Sequence, residues 1–222
     1  MSERDALQGF LDKWRAHWPE WAVAETFLPA TQRERAQAWL ALRGELMDAA
    51  WGGDDPTPGA AKLGWWTEEL EGWSRGARRH PLGQVLQKLP VEWRALAGGV
   101  PALRSSRSPE GDGAATLRGL QPFAHALANA SAQLFGAPPV PVSAMAEALL
   151  AEWVLHLPER GVPAAGTDVP SLLAKPRLRG GAATERIQAA LVRGRLRRTR
   201  RGRPSVMPPL VTLFAAWRAA RG

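Results

Sequence analysis

The chain has 222 residues, 45% of them apolar, and a formal net charge of +8, which is length enough for one domain with a substantial core. It contains no cysteine, which excludes disulfides, cysteine-ligated zinc and thiol nucleophiles. Residues 175–222 carry 13 Lys/Arg against the single acid Glu185, whereas the preceding residues hold 16 basic and 20 acidic side chains, so the basicity belongs to one C-terminal segment.

In chain order, Ala6–Trp18 places Leu7, Phe10, Leu11, Trp14 and Trp18 at helical spacing and predicts a helix with one buried stripe. Pro19 and Pro29 bracket a shorter element with Trp21 and Phe27. Thr31-Gln-Arg-Glu34 reads as a capping box. A long helix is predicted to run from there to Trp51, burying Ala38, Leu42, Leu46 and Ala49, until Gly52-Gly53-Asp54-Asp55-Pro56 stops it. Over Lys62–Leu86, Leu63, Trp66, Leu70, Trp73 and Ala77 form an aromatic stripe. Glu68, Glu69 and Glu71, then Arg75, Arg78 and Arg79, occupy the other side in an order that suits a helix dipole. His80-Pro81 breaks this helix. Pro81–Leu89 and a short helix with Trp93 and Leu96 follow, and Gly98–Gly113 reads as the longest loop.

Ala114–Phe135 has Leu117, Leu120, Phe123, Ala124, Leu127 and Leu134 on one face. Ala137–Pro141 is a rigid connector, Ser143 is placed to cap Ala144–Leu157, and Pro158–Pro176 is irregular. Ala182–Arg198 is a basic helix with Ile187, Leu191 and Leu196 inward. Pro204–Ala220 closes the chain with Leu210, Leu213, Phe214 and Trp217. No alternating strand pattern and no heptad repeat occurs, so the fold class is all-α, a single helical domain over residues 1–222. The charged N-terminus lacks an apolar h-region, and no apolar run approaches the roughly 20 residues that span a bilayer. The expected location is cytoplasmic, peripheral to the inner face of a membrane if membrane-associated at all.

The succession K-L-G-W-W-T-E-E-L-E-G-W, then H-P-L and an apolar helix, resembles a segment of squalene and phytoene synthases of the loose form W-x-x-E-L…G…H-P-L…L. The resemblance extends from about Gln32 to the C-terminus and is most specific over Lys62–Leu86. It implies an isoprenoid-synthase-type helical bundle around an apolar cavity for prenyl chains. The chemistry it implies is head-to-head condensation of two prenyl diphosphates by magnesium held between two aspartate-rich motifs on facing helices. The first motif, D-D-x-x-D, falls on Gly44–Asp48, where only Glu45 and Asp48 are acidic. Those two are the candidate magnesium ligands if a remnant site functions; otherwise they form the solvated face of an amphipathic helix. The second motif falls on Ala148–Gly161 and puts Trp153 at the family's asparagine, His156 at its arginine, and Leu157 and Gly161 at its aspartates. With that pair of carboxylates gone, the expectation is a non-catalytic relative with no cofactor, binding a prenyl or lipid ligand or a partner protein. Trp39, Leu42, Trp66 and Trp153 are the candidate pocket residues. The alternatives are a divergent magnesium-dependent prenyl transferase and, second, a basic helical protein that binds nucleic acid.

Eleven tryptophans without a tyrosine, five of them between Trp39 and Trp73, predict a wide aromatic-lined interior or a bulky core. The four histidines, at 17, 80, 125 and 156, have no metal-ligand spacing, and nucleophile-elbow and phosphate-loop motifs do not occur. The run Arg193, Arg195, Arg197, Arg198, Arg200, Arg201 and Arg203 suits an anionic membrane surface, nucleic-acid phosphates or simple solvation. It lacks interleaved aromatics for base stacking, which argues against sequence-specific nucleic-acid reading.

Overall fold

The computed structural model describes residues 3–107, 113–156 and 168–222. Among them lie eleven α-helices and no strand, which bears out the all-α expectation. The helices are α1 (Glu3–His17), α2 (Trp21–Ala24, continued by a 3₁₀ turn, Glu25–Phe27), α3 (Ala30–Trp51), α4 (Pro56–Ser74), α5 (Gly83–Leu86) and α6 (Trp93–Ser105). They continue with α7 (Gly113–Phe135), α8 (Val142–His156), α9 (Val169–Ala174), α10 (Ala183–Arg200) and α11 (Pro209–Arg221). Helices α4, α6, α7, α8, α10 and α11 pack in succession, α11 closes onto α2, and α3 touches α1, α4, α5, α6 and α8. Buried apolar side chains from α1 through α11 form one contiguous core.

Helix α3 is the centre of this arrangement. From Ala36 onward only Gly44 and Asp48 escape full burial, so its apolar face is not the single stripe that the sequence predicts. Alanines at 36, 38, 41, 49 and 50 let neighbours approach from several sides. Gly59 of α4 shows how closely: a Cβ there would meet the Ala49 carbonyl oxygen at 2.1 Å. The helix starts one residue before Thr31, behind Pro29, and carries no side-chain cap; Thr31 sits inside the first turn, so the expected capping box does not form. At the other end Arg107 donates to the carbonyls of Ala50 (3.1 Å), Gly52 (2.8 Å) and Gly53 (2.5 Å), satisfying the acceptors that a helix end leaves open.

Two further expectations are corrected. Gly98-Gly99 is not the start of a loop but the middle of α6, which continues to Ser105. A Cβ at Gly99 would lie 3.2 Å from both the Phe123 Cα and the Ala126 Cβ, so glycine serves the close α6–α7 crossing rather than a turn. Helix α8 starts at Val142, which places Ser143 within the helix rather than before it. Of the irregular stretch predicted over Pro158–Pro176, residues 158–167 lie outside the described residues, and α9 occupies Val169–Ala174. Among the described residues no helix is long and apolar enough to cross a membrane.

The Lys62–Leu86 stretch is organised from an unexpected residue. Leu63, Trp66, Leu70 and Trp73 are buried as the stripe predicts, but α4 ends at Ser74 and Ala77 is exposed. Glu69, placed by the sequence on the polar side, is 1% exposed. Its Oε1 accepts from Trp73 Nε1 (2.8 Å) and from the backbone N–H of Arg79 (2.7 Å) and His80 (2.8 Å), while Oε2 accepts from Arg79 Nε (3.0 Å). Burial alone would raise the Glu69 carboxyl, yet these donors hold it below its ordinary value. One carboxylate thus folds the chain back at the His-Pro step. The His80 ring then packs against Phe10 at 4.4 Å and Trp66 at 4.6 Å between centroids. Its Nδ1 accepts from the Leu82 N–H at 3.1 Å, which leaves Nε2 as the protonated nitrogen. Burial among these rings pulls the imidazole down to about 4.

Removing the Glu69 carboxylate strands several buried donors, so Glu69→Ala is expected to cost on the order of 3–5 kcal/mol in urea unfolding. His80 supplies a pH dependence of definite sign. The unfolded chain takes up a proton near 6.5 and the folded one only near 4, so stability is full above 6.5 and falls as the pH drops toward 4. Between pH 7 and 4 the wild type should lose roughly 3 kcal/mol more than His80→Gln, which keeps an acceptor without titrating.

Candidate functional site

A cavity of about 500 Å³ opens between α1, α3, α8 and α10, within the range of small-molecule sites. Its apolar wall includes Phe10, Trp14, Trp18, Leu40, Met47 and Leu155, and its polar groups include Lys13, His17, Glu45, Asp48, His156 and Arg195. The α3 and α8 segments that the resemblance assigns to paired aspartate motifs therefore do face a common space.

At the innermost wall Arg43 lies between two carboxylates. Its Nη2 donates to Glu152 Oε1 at 3.0 Å, and its Nη1 is bonded to Glu185 Oε2. Glu185 also accepts from Trp39 Nε1 (2.7 Å), and the Gln188 side-chain Oε1 accepts from Trp21 Nε1 (2.8 Å). Burial acts first on both partners. It would lower the Arg43 guanidinium, but the two carboxylates outweigh it and raise it, while burial raises the Glu152 carboxyl despite Arg43. Arg43 Nε, also buried, has no hydrogen-bond partner among the described residues.

Glu45 and Asp48 both line the cavity, Glu45 beside two lysines and Asp48 beside a histidine. Glu45 pairs with Lys13 at 3.3 Å and Lys62 at 2.5 Å, and it is buried rather than part of a solvated helix face. Asp48, its side chain 49% exposed, lies 3.2 Å from His156 Nε2. Partial burial would raise the Asp48 carboxyl, but the His156 hydrogen bond and the charges of His156, His17 and Lys62 hold it below its ordinary value. His156 Nδ1 is 2.9 Å from the Glu152 carbonyl oxygen, so both ring nitrogens face oxygen acceptors. Among the described residues no group of three or more His, Asp or Glu is gathered to hold a metal ion. Leu157 and Gly161, the remaining positions of the second motif, lie outside the described residues.

The predicted pocket residues are placed elsewhere. Trp39, Leu42 and Trp66 are fully buried in the packed core, Trp153 is buried on α8, and none of the four is a wall of this cavity. Trp14 and Trp18, which the sequence marks only as part of the α1 stripe, supply the aromatic wall instead. The other large indoles fill space: Trp65, Trp66, Trp73 and Trp93 form an edge-to-face series with centroid spacings of 5.1, 6.4 and 5.0 Å.

The arginine run divides by partner. Arg193 donates to the Leu173 (2.6 Å) and Lys175 (2.7 Å) carbonyls and caps α9. Arg195 grips buried Glu20 through Nε (2.9 Å) and Nη2 (2.5 Å) and stacks 3.8 Å over Trp18. Arg198 Nε donates to Pro204 O at 2.7 Å, and Arg197 is half-buried. Arg200, Arg201 and Arg203 are exposed. Arg193 and Arg195 thus hold the fold together, whereas the end of the run faces outward.

No protein-family model, curated protein or solved structure matches the chain.

Arg43 provides the decisive structural test of the site. Arg43→Met leaves two carboxylates buried without their counter-charge, which is expected to cost about 3–5 kcal/mol. Arg43→Lys, a single point charge in place of a two-pronged donor, should recover only part of that in the same urea titration.

Proposed function

We propose that the protein binds, rather than transforms, an amphiphilic ligand with an apolar chain of the prenyl or lipid type. In this reading it is a squalene/phytoene-synthase-like bundle of isoprenoid-synthase type that holds its ligand in the cavity between α1, α3, α8 and α10. The observation that carries the reading is the state of Glu45 and Asp48. They are the acids that the resemblance would give to magnesium, and each is engaged by Lys13, Lys62 or His156. Ionising a diphosphate needs cations aimed at the departing charge. Here the cavity's carboxylates are spent on holding α1, α4 and α8 to α3. The aromatic wall of Phe10, Trp14 and Trp18 suits an apolar chain, and Lys13, paired with Glu45 yet more than half exposed, suits a polar head.

Organic extraction of the purified protein followed by mass spectrometry should yield a stoichiometric apolar-chain compound. Titration with farnesyl diphosphate should give binding that Trp14→Ala weakens about tenfold, through loss of roughly 1.5 kcal/mol of apolar contact. Magnesium-dependent release of diphosphate from farnesyl or geranylgeranyl diphosphate, abolished by Glu45→Gln, would replace this reading with that of a divergent prenyl transferase.

A further inference from the structure

Helix α11 is built inside out. The face it turns to α10 and α2 is made of small residues: Thr212 and Ala216 are fully buried, and Ala215, Ala219 and Ala220 are half-buried. Its large apolar side chains point the other way, with Leu210 70%, Phe214 67% and Trp217 42% exposed, joined by Val211, Leu213 and the preceding Val206. Among the described residues these six are all the exposed large apolar side chains. Positions 210, 213, 214 and 217 follow the i, i+3, i+4, i+7 spacing of one helical face. A helix that served only the core would turn Phe214 and Trp217 inward.

The patch is also held firmly in place. Arg186 donates to the Ala219 (2.8 Å) and Ala220 (2.7 Å) carbonyls at the C-terminal end of α11. Before the helix, the Met207 N–H donates to Glu20 at 3.0 Å, and Glu20 is itself held by Arg195. The apolar face is therefore presented by a tethered helix and not by a fraying end.

Along the chain its flanking charges are of one sign. Exposed Arg200, Arg201 and Arg203 stand just before the helix, Arg218 and Arg221 lie on its last turn, and Arg221 sits 4.3 Å over the Trp217 ring. No acid follows Glu185 in the chain, and Glu185 is taken by Arg43. A broad apolar face bordered by guanidinium groups is complementary to an anionic bilayer: the apolar side chains enter the acyl boundary and the arginines meet lipid phosphates. Nucleic acid would use the arginines but leave Leu210, Phe214 and Trp217 in water.

We propose that α11, with the arginine turn before it, docks the protein on the surface of an anionic phospholipid membrane. Exposed Val206, just before α11, also lines the cavity, which ties the docking segment to the cavity along the chain. The docking itself does not rest on the cavity holding a ligand.

The test is flotation of the full chain with vesicles of phosphatidylcholine alone or containing about a third phosphatidylglycerol. The wild type should float with the anionic vesicles and be released at about 0.5 M salt. Phe214→Glu with Trp217→Glu should cut the bound fraction at least about tenfold while circular dichroism and the melting temperature stay unchanged, because both side chains are exposed. Replacing Arg200, Arg201 and Arg203 by Gln should weaken anionic-vesicle binding by a similar factor. Failure of the wild type to float at low salt overturns the proposal, as does equal flotation of the Phe214/Trp217 variant. A dimer that the same variant dissociates, without vesicle binding, gives the patch to a second copy of the chain and also overturns it. Salt-sensitive RNA binding without vesicle binding does the same. Recovery of an extracted ligand alongside any of these results leaves the cavity reading standing and this one rejected.

Discussion

The structure turns on one guanidinium. Arg43 joins α3 to Glu152 of α8 and Glu185 of α10, partners 109 and 142 residues away in sequence. Burying three charges is expensive, and a well-packed apolar substitute often serves stability as well or better. Such a cluster constrains register: α3, α8 and α10 must bring Glu152 and Glu185 within hydrogen-bond reach of Arg43. Trp39 donating to Glu185, and Trp21 donating to Gln188, extend the same network to the core and to α2. The cavity lies against this network, so the geometry of the site follows from it.

A second buried carboxylate performs the same kind of task locally. Glu69 collects two backbone amides, an indole and a guanidinium to turn the chain after α4. The tryptophan-rich composition becomes intelligible in this light. Indoles fill the volume around α3 and α4, and those of Trp21, Trp39, Trp51 and Trp73 each donate to a buried polar acceptor, so bulk and polar satisfaction come from the same residues.

The basic C-terminal segment, uniform in composition, is divided in space. Arg186, Arg193 and Arg195 are consumed by carbonyls and by Glu20, which fastens α9, α10 and α11 to the bundle. Of the arginines that remain outward, Arg218 and Arg221 lie on α11 itself, with Arg221 over the Trp217 ring, and Arg200, Arg201 and Arg203 precede it in the chain. Partner choice, more than spacing, separates a structural arginine from one available to a surface.

The sequence by itself determined the helices. Prolines, glycines and the 3.6-residue recurrence of apolar side chains are local properties of the chain, and they placed α1, α3, α4, α7, α8, α10 and α11 close to where they lie. The resemblance marked Glu45 and Asp48 as candidate magnesium ligands, and both line the cavity, where His156, singled out only as the replacement of the family's arginine, joins them. The sequence could not tell that Gly98-Gly99 continues a helix, because what requires glycine there is the approach of α7. Nor could it show that Glu69 is buried, that α3 is enclosed on nearly every side, or that Trp39, Leu42 and Trp66 fill the core while Trp14 and Trp18 line the cavity. Periodicity marks an apolar face but not what lies opposite it. Only the packing of distant helices decided that the large side chains of α11 face outward, and which cation each buried carboxylate meets.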